Sequence, residues 1–252
     1  SASCLPVSVR VEGDGEGART VREQLVFDID FSGLLETVPE NEAYVRLVVR
    51  VSGRDGAWIV SARADADGEV VLAREYRGNI LHDMVHSLAD DLVFDLTGEQ
   101  GIASTRLAYI SRRENDWRLV IKTLDPRPGT TAMRDSRVIT TPAWSPLGDR
   151  IAFTSYRSGT GEIYTYSFDS GSASRIISGG LNTAPAWSPD GGTLAFTRSE
   201  SGGSDIWLYS MASGTSTQIT ARSGIETSAS FSPNGMQIIF TSDRVGFPQL
   251  YW

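Results

Sequence analysis

Apolar and polar residues alternate with a period of two along several short runs of the first hundred residues. Pro6-Val-Ser-Val-Arg-Val11 reads as a half-buried strand. Tyr44-Val-Arg-Leu-Val-Val-Arg-Val51 and Trp58-Ile-Val-Ser-Ala-Arg63 predict a hairpin closed by Ser52-Gly-Arg-Asp-Gly56. Asp65-Ala-Asp-Gly68 predicts a second turn, leading into a strand over Glu69–Glu75. The period lengthens to that of a helix twice. Ala18–Phe31 places Val21, Leu25, Ile29 and Phe27 inward, after a turn-rich loop over Glu12–Gly17. Asn79–Leu96 carries a stripe of Leu81, Met84, Val85, Leu88, Leu92 and Leu96, with Asn79 as N-cap and Gly98 as the left-handed C-cap. Together these elements predict a small mixed α/β domain over residues 1–102.

From residue 103 the pattern is all strand and it repeats. Pro142-Ala-Trp-Ser-Pro-Leu-Gly148, Pro185-Ala-Trp-Ser-Pro-Asp-Gly191 and Ala229-Ser-Phe-Ser-Pro-Asn-Gly235 are copies, each followed by a strand ending in Phe-Thr. Their aromatic anchors, Trp144, Trp187 and Phe231, lie 43 and 44 residues apart. Four short strands per copy at that period predict β-propeller blades, here over about 104–139, 140–181, 182–225 and 226–252. In each Ser-Pro-x-Gly turn, proline presets φ at the first central position and glycine takes the last. The aromatic anchors are expected to fill the space between blades. Residues 106–139 read as a blade without its first strand, and Gln249–Trp252 aligns with only part of a third strand. About three and a half blades are therefore expected, as a fragment of a longer propeller.

Charge and chemistry narrow the function. Residues 1–103 carry 19 acidic and 9 basic side chains, against 12 and 14 in residues 104–252. Neither part offers a basic patch to a nucleic acid. The single cysteine, Cys4, cannot form an internal disulfide, and Ser1-Ala-Ser3 ahead of it lacks the leucine expected before a lipidated cysteine. His82 and His86, the only histidines, stand four apart as in zinc-binding helices. No glutamate follows His82, however, and the pair lies opposite the apolar stripe, so the expectation is a solvated polar face rather than a metal site. There is no Gly-x-Ser-x-Gly elbow, and no histidine in the repeats to complete a triad. Gly13-x-Gly15-x-Gly17 has the wrong spacing for a dinucleotide fingerprint. Asp243-Arg244 reads as a local pair at a blade turn. No cofactor, metal or catalytic residue is predicted.

The run Leu88-Ala-Asp-Asp-Leu-Val-Phe-Asp-Leu-Thr-Gly-Glu-Gln-Gly-Ile-Ala-Ser-Thr-Arg-Leu-Ala-Tyr-Ile-Ser111 resembles the helix-to-propeller junction of the TolB family of the Tol–Pal envelope system. The Trp-Ser-Pro-Asp-Gly copies and Phe240-Thr-Ser-Asp-Arg244 with Pro248-Gln-Leu-Tyr251 are similar to that family too. The resemblance implies a six-bladed propeller behind an α/β domain and a periplasmic, non-enzymatic scaffold. It implies a peptidoglycan-associated lipoprotein and other Tol proteins as partners. Carried onto this chain, the family's partner contacts fall on loops before each Trp-Ser-Pro strand. These are Ile139, Thr140 and Thr141; Leu181, Asn182, Thr183 and Ala184; and Glu226, Thr227 and Ser228. The repeat alone also resembles the gating propellers of prolyl-oligopeptidase-type serine peptidases, the alternative being such a gate with its catalytic domain outside this sequence.

Overall fold

The computed structural model describes residues 4–13, 15–54, 56–200, 202–221 and 224–252. Ser1–Ser3 ahead of Cys4, Asp14 of the glycine-rich loop and Asp55 of the hairpin turn lie outside the described residues. The chain divides into two compact units. The first comprises residues 1–107 together with Lys122–Pro128; the second comprises Ala108–Ile121 and Gly129–Trp252.

In the first unit the elements run β1 (Leu5–Glu12), α1 (Gly15–Phe31), β2 (Leu35–Thr37), β3 (Val45–Arg54), β4 (Ala57–Ala66), β5 (Glu69–Gly78) and α2 (Leu81–Thr97). The strands form one sheet in the order β2-β1-β3-β4-β5, with β1 parallel to both neighbours and β3, β4 and β5 antiparallel. Alternate residues of the strands (Val7, Leu47, Val49, Val60, Ala64) meet Val21, Leu25 and Ile29 of α1 and Val85, Leu88 and Leu92 of α2 in one core. Phe27 is only half buried and stacks on Phe31 at 5.4 Å.

Helix α1 begins at Gly15, inside the stretch expected to be a loop. The reason is packing. A Cβ at Gly17 would lie 2.6 Å from the Trp58 ring, so this glycine serves close approach to an aromatic rather than a turn. Helix α2 ends as expected, with Gly98 at φ 74 donating to Phe94 O. Its start differs. Ile80, not Asn79, is the N-cap, and no side chain caps the helix.

The second unit is built from four-stranded sheets and their parts. A three-stranded sheet, β6-β7-β8, comes from β6 (Arg106–Arg113), β7 (Asp116–Thr123) and β8 (Thr130–Asp135). Next come β9 (Ile139–Trp144), β10 (Arg150–Ser155), β11 (Glu162–Ser167) and β12 (Ser172–Ile177), paired in chain order. Strands β13 (Leu181–Trp187), β14 (Thr193–Glu200), β15 (Gly203–Ser210) and β16 (Ser216–Gln218) repeat that arrangement. Strands β17 (Gly224–Phe231), β18 (Ile238–Ser242) and β19 (Gln249–Tyr251) follow, and β17 is joined to β15 by a short parallel pairing at Gly203 and Ser204.

Each apolar cluster of this unit spans two successive sheets. Leu119 of β7 packs with Ile139, Ile151, Phe153, Tyr164 and Tyr166. Ala152, Ile163 and Ile177 pack with Leu194 and Phe196. Ala195 and Ile206 pack with Ala229 and Phe240. The anchors Trp144, Trp187 and Phe231 flank these clusters, one in each. Trp144 stacks on Phe168 at 5.4 Å, and the Trp187 indole donates to Ala143 O of the preceding sheet at 3.2 Å.

The three Ser-Pro-x-Gly turns share their backbone bonding, and differ in the serine's acceptor, four residues on in the first and two on in the others. Gly148, Gly191 and Gly235 donate to the carbonyls of Ser145, Ser188 and Ser232, each at 2.9 Å, with φ of 68, 70 and 71. The serine hydroxyls accept from Arg150 N, Thr193 N and Gln237 N and donate to Asp149, Asp190 and Asn234. Because the glycines are left-handed, Gly191→Ala is expected to lose about 1 kcal/mol of stability. A chemical denaturation curve checks this; an unchanged midpoint would mean that the turn can flip to another type.

Candidate partner-binding face

Strand β13 lies against both β9 and β17, so the first strands of three successive sheets are neighbours. The ten predicted partner residues all fall within these strands rather than in loops before them. This is a correction with a physical cause. Each strand starts several residues ahead of its aromatic, and proline in the first two copies disguises it as a loop. A β-bulge breaks the register in all three copies, including the third, where Ala229 stands in place of the proline. Register shifts place Thr141 and Pro142 opposite Phe153, Ala184 and Pro185 opposite Phe196, and Ser228 and Ala229 opposite Phe240.

At the same position of each bulge stands a non-glycine residue in the left-handed region: Thr141 at φ 50, Ala184 at φ 51 and Ser228 at φ 58. Such backbone costs on the order of 1 kcal/mol per residue. Thr141 and Ser228 are exposed, and Ala184 is half buried. Two hydroxyl contacts brace the face, one at Thr141 and one at Thr227. Thr197 Oγ1 donates to Thr227 Oγ1 at 3.2 Å, from one sheet to the next, and Thr141 Oγ1 pairs with Thr154 Oγ1 at 2.9 Å. Thr140 and Thr183 are half buried on the same strands, and Leu181 is exposed.

The first position of each triplet points inward. Ile139, Asn182 and Glu226 are all 1% exposed or less. Asn182 Nδ2 donates to Gly179 O at 2.9 Å, and its Oδ1 accepts from Arg198 Nε at 2.8 Å. Glu226 receives Ser242 Oγ at 3.2 Å and pairs with the Arg244 guanidinium. Arg244 therefore pairs across the hairpin with Glu226. Its neighbour Asp243 instead accepts from Ile225 N at 2.6 Å, so the expected Asp243–Arg244 pair is replaced by two separate contacts. Arg198 stacks on Trp207 at 4.5 Å, and burial draws its pKa below the ordinary arginine value. These inward residues hold the bulges in place; the next two positions in each strand present them.

Sequence reasoning missed a second polar constellation, in the first unit. His86 and Asp90, expected on a solvated face, are buried. Asp90 accepts from Ala103 N at 2.6 Å and Ser104 N at 2.9 Å, while His86 meets Asp28 and Asp125. Nothing local marks these partners, which lie 58 and 39 residues from His86 in sequence. Among the described residues no group of three or more His, Cys, Asp or Glu is arranged to hold a metal ion, and no helix is long and apolar enough to cross a membrane.

A family model described as the TolB beta propeller domain matches residues 94–252. The chain belongs to the TolB β-propeller family. Among its relatives, the Tol-Pal system protein TolB of Bordetella pertussis is 39% identical over 173 residues, covering 68% of this chain and 40% of that protein. The protein of the same name from Legionella pneumophila is 31% identical over 200 residues, covering 70% of this chain and 48% of the relative. This chain thus spans less than half the length of these TolB relatives. The crystal structure of TolB from Acinetobacter baumannii matches 99% of the chain and 68% of that chain, with a TM-score of 0.85 at 24% identity. It shares the TolB fold, α/β unit included.

Proposed function

We propose that this chain is a non-enzymatic scaffold of a Tol–Pal system, acting in the periplasm and holding a protein partner against the face formed by β9, β13 and β17. The observation that carries the reading is the triple bulge, which sets Thr141, Ala184 and Ser228 in the same strained conformation on three adjacent strands. A preordered backbone loses little entropy when a partner segment docks on it. The TolB relatives supply the system, and a peptidoglycan-associated lipoprotein is the partner proposed within it.

The test is capture of a peptidoglycan-associated lipoprotein from the same source by the immobilised chain. Thr141→Lys and Ser228→Lys are expected to weaken binding about tenfold or more, equivalent to roughly 1.4 kcal/mol. Leu147→Lys, at a turn where the native side chain is 84% exposed, is expected to leave it unchanged. Equal loss in all three variants, or in none, would remove the face from consideration.

A further inference from the structure

His86 is 1% exposed on α2 and stands between two carboxylates. Its Nδ1 lies 2.7 Å from Asp28 Oδ2 of α1, and its Nε2 lies 3.3 Å from Asp125 Oδ2. An ionised carboxylate only accepts, and a neutral imidazole has a single N–H to give. The Nδ1 contact is a hydrogen bond in either protonation state, whereas the Nε2 contact is an ion pair only when the ring is an imidazolium.

The partners are themselves fixed. Gln24 Nε2 donates to Asp28 Oδ1 at 2.7 Å. Asp125 accepts from Thr123 Oγ1 at 3.0 Å, from Arg127 N at 3.0 Å and from the Arg127 guanidinium. The chain's only lysine, Lys122, donates to the carbonyls of Asp125 and Arg127. The ionisable groups facing His86 are therefore Asp28 from α1, His82 from α2, and Asp125 and Arg127 from the segment Lys122–Pro128.

We propose that His86 is a pH-sensitive clasp: as an imidazolium it ties the segment Lys122–Pro128 to helices α1 and α2, and on deprotonation it releases Asp125. The Nε2 proton is the one lost. Its contact is the longer of the two, and Arg127 Nη2 stands 3.5 Å from the same nitrogen.

Burial opposes the charge on His86, but the hydrogen bond to Asp28 and the fields of Asp28 and Asp125 outweigh it and raise its pKa. Burial and the Arg127 charge move His82 the other way. Burial opposes ionisation of Asp125 too, yet its bonds from Arg127 hold it down at about 2, so Asp125 stays charged throughout. A raised folded-state pKa means that the clasp is at full strength below the ordinary histidine value of about 6.5. It is lost as pH rises through the folded value. A histidine buried in its neutral form would respond in the opposite direction.

The experiment is hydrogen exchange of peptides spanning residues 122–128 in the whole chain, corrected for intrinsic pH dependence, beside NMR titration of both imidazoles. His86 is expected to titrate above about 6.5 and His82 below it. Protection of the segment, including the Arg127 amide, is expected to fall in step with His86. His86→Gln, which cannot titrate, is expected to remove the pH response. Asp28→Asn keeps the side-chain shape without the charge, and is expected to move the His86 titration and the loss of protection to lower pH together. Titration of His86 at or below the ordinary value, segment protection unchanged across its titration, or an unmoved midpoint in Asp28→Asn would each overturn the clasp.

Discussion

Phe196→Ala is expected to lower the unfolding free energy by about 3–5 kcal/mol, among the largest effects of any single truncation in this chain. The ring is fully buried and lies where two sheets meet, with Ala152, Ile163 and Ile177 from the preceding sheet and Leu194 beside it on its own strand. Its loss combines lost transfer free energy with a cavity that two separately braced sheets close poorly. Phe196 also stands opposite the bulge at Ala184 and Pro185 in the strand pairing. Denaturant titration read by tryptophan fluorescence reports it well, because Trp187 and Trp207 border the same cluster. A loss below about 1 kcal/mol would mean that the bulge relaxes into the space. Phe240→Ala, at a site 8% exposed rather than sealed, should cost less.

Asp90→Ala is expected to cost about 3 kcal/mol, from the first unit. The carboxylate closes the turn after α2 by accepting two main-chain N–H groups and the Ser104 hydroxyl. Alanine leaves the buried Ala103 N–H without an acceptor. The neighbouring Gly101 packs so closely that a Cβ there would lie 2.4 Å from Asp90 Cα, leaving little room for a replacement water. Asp90→Asn keeps one acceptor oxygen and is expected to lose about half as much. Thermal unfolding, with exchange of the Ala103 amide as the local reporter, separates the two. Equal stability of wild type and Asp90→Ala would show that the turn is held by packing alone.

The ease with which each part could be read from sequence follows the range of the forces involved. Alternation in Val45–Val51 and the stripe from Leu81 to Leu92 are local, and both elements stand where the pattern placed them. The Ser-Pro-x-Gly turns are local too, since every bond in them joins residues at most five apart. What sequence pattern misjudged depends on distant neighbours. Gly17 looks like a turn residue until Trp58 arrives beside it. His86 and Asp90 sit opposite the apolar stripe and so look solvated, but Asp28, Asp125 and the turn at Ala103 cover them. At the candidate face the residues come from the family resemblance, counted back from each repeated aromatic anchor. The division of labour inside each triplet, one residue inward and two presented, depends on a bulge that pairing with the next strand creates.

The indole of Trp187 reaches back 44 residues to the carbonyl of Ala143. A chain synthesised from its N-terminus therefore displays the acceptor first and completes the contact only when the next repeat emerges. Assembly acquires a direction: each sheet is the template on which its successor settles, and the surface awaiting cover at any moment is a single repeat wide. The third anchor, Phe231, has no N–H to give. Its repeat is registered on the previous one by packing, by the short β15–β17 pairing and by the Thr197–Thr227 hydroxyl contact instead. The latch between successive repeats thus changes from a single anchor side chain to contacts shared along the neighbouring strands.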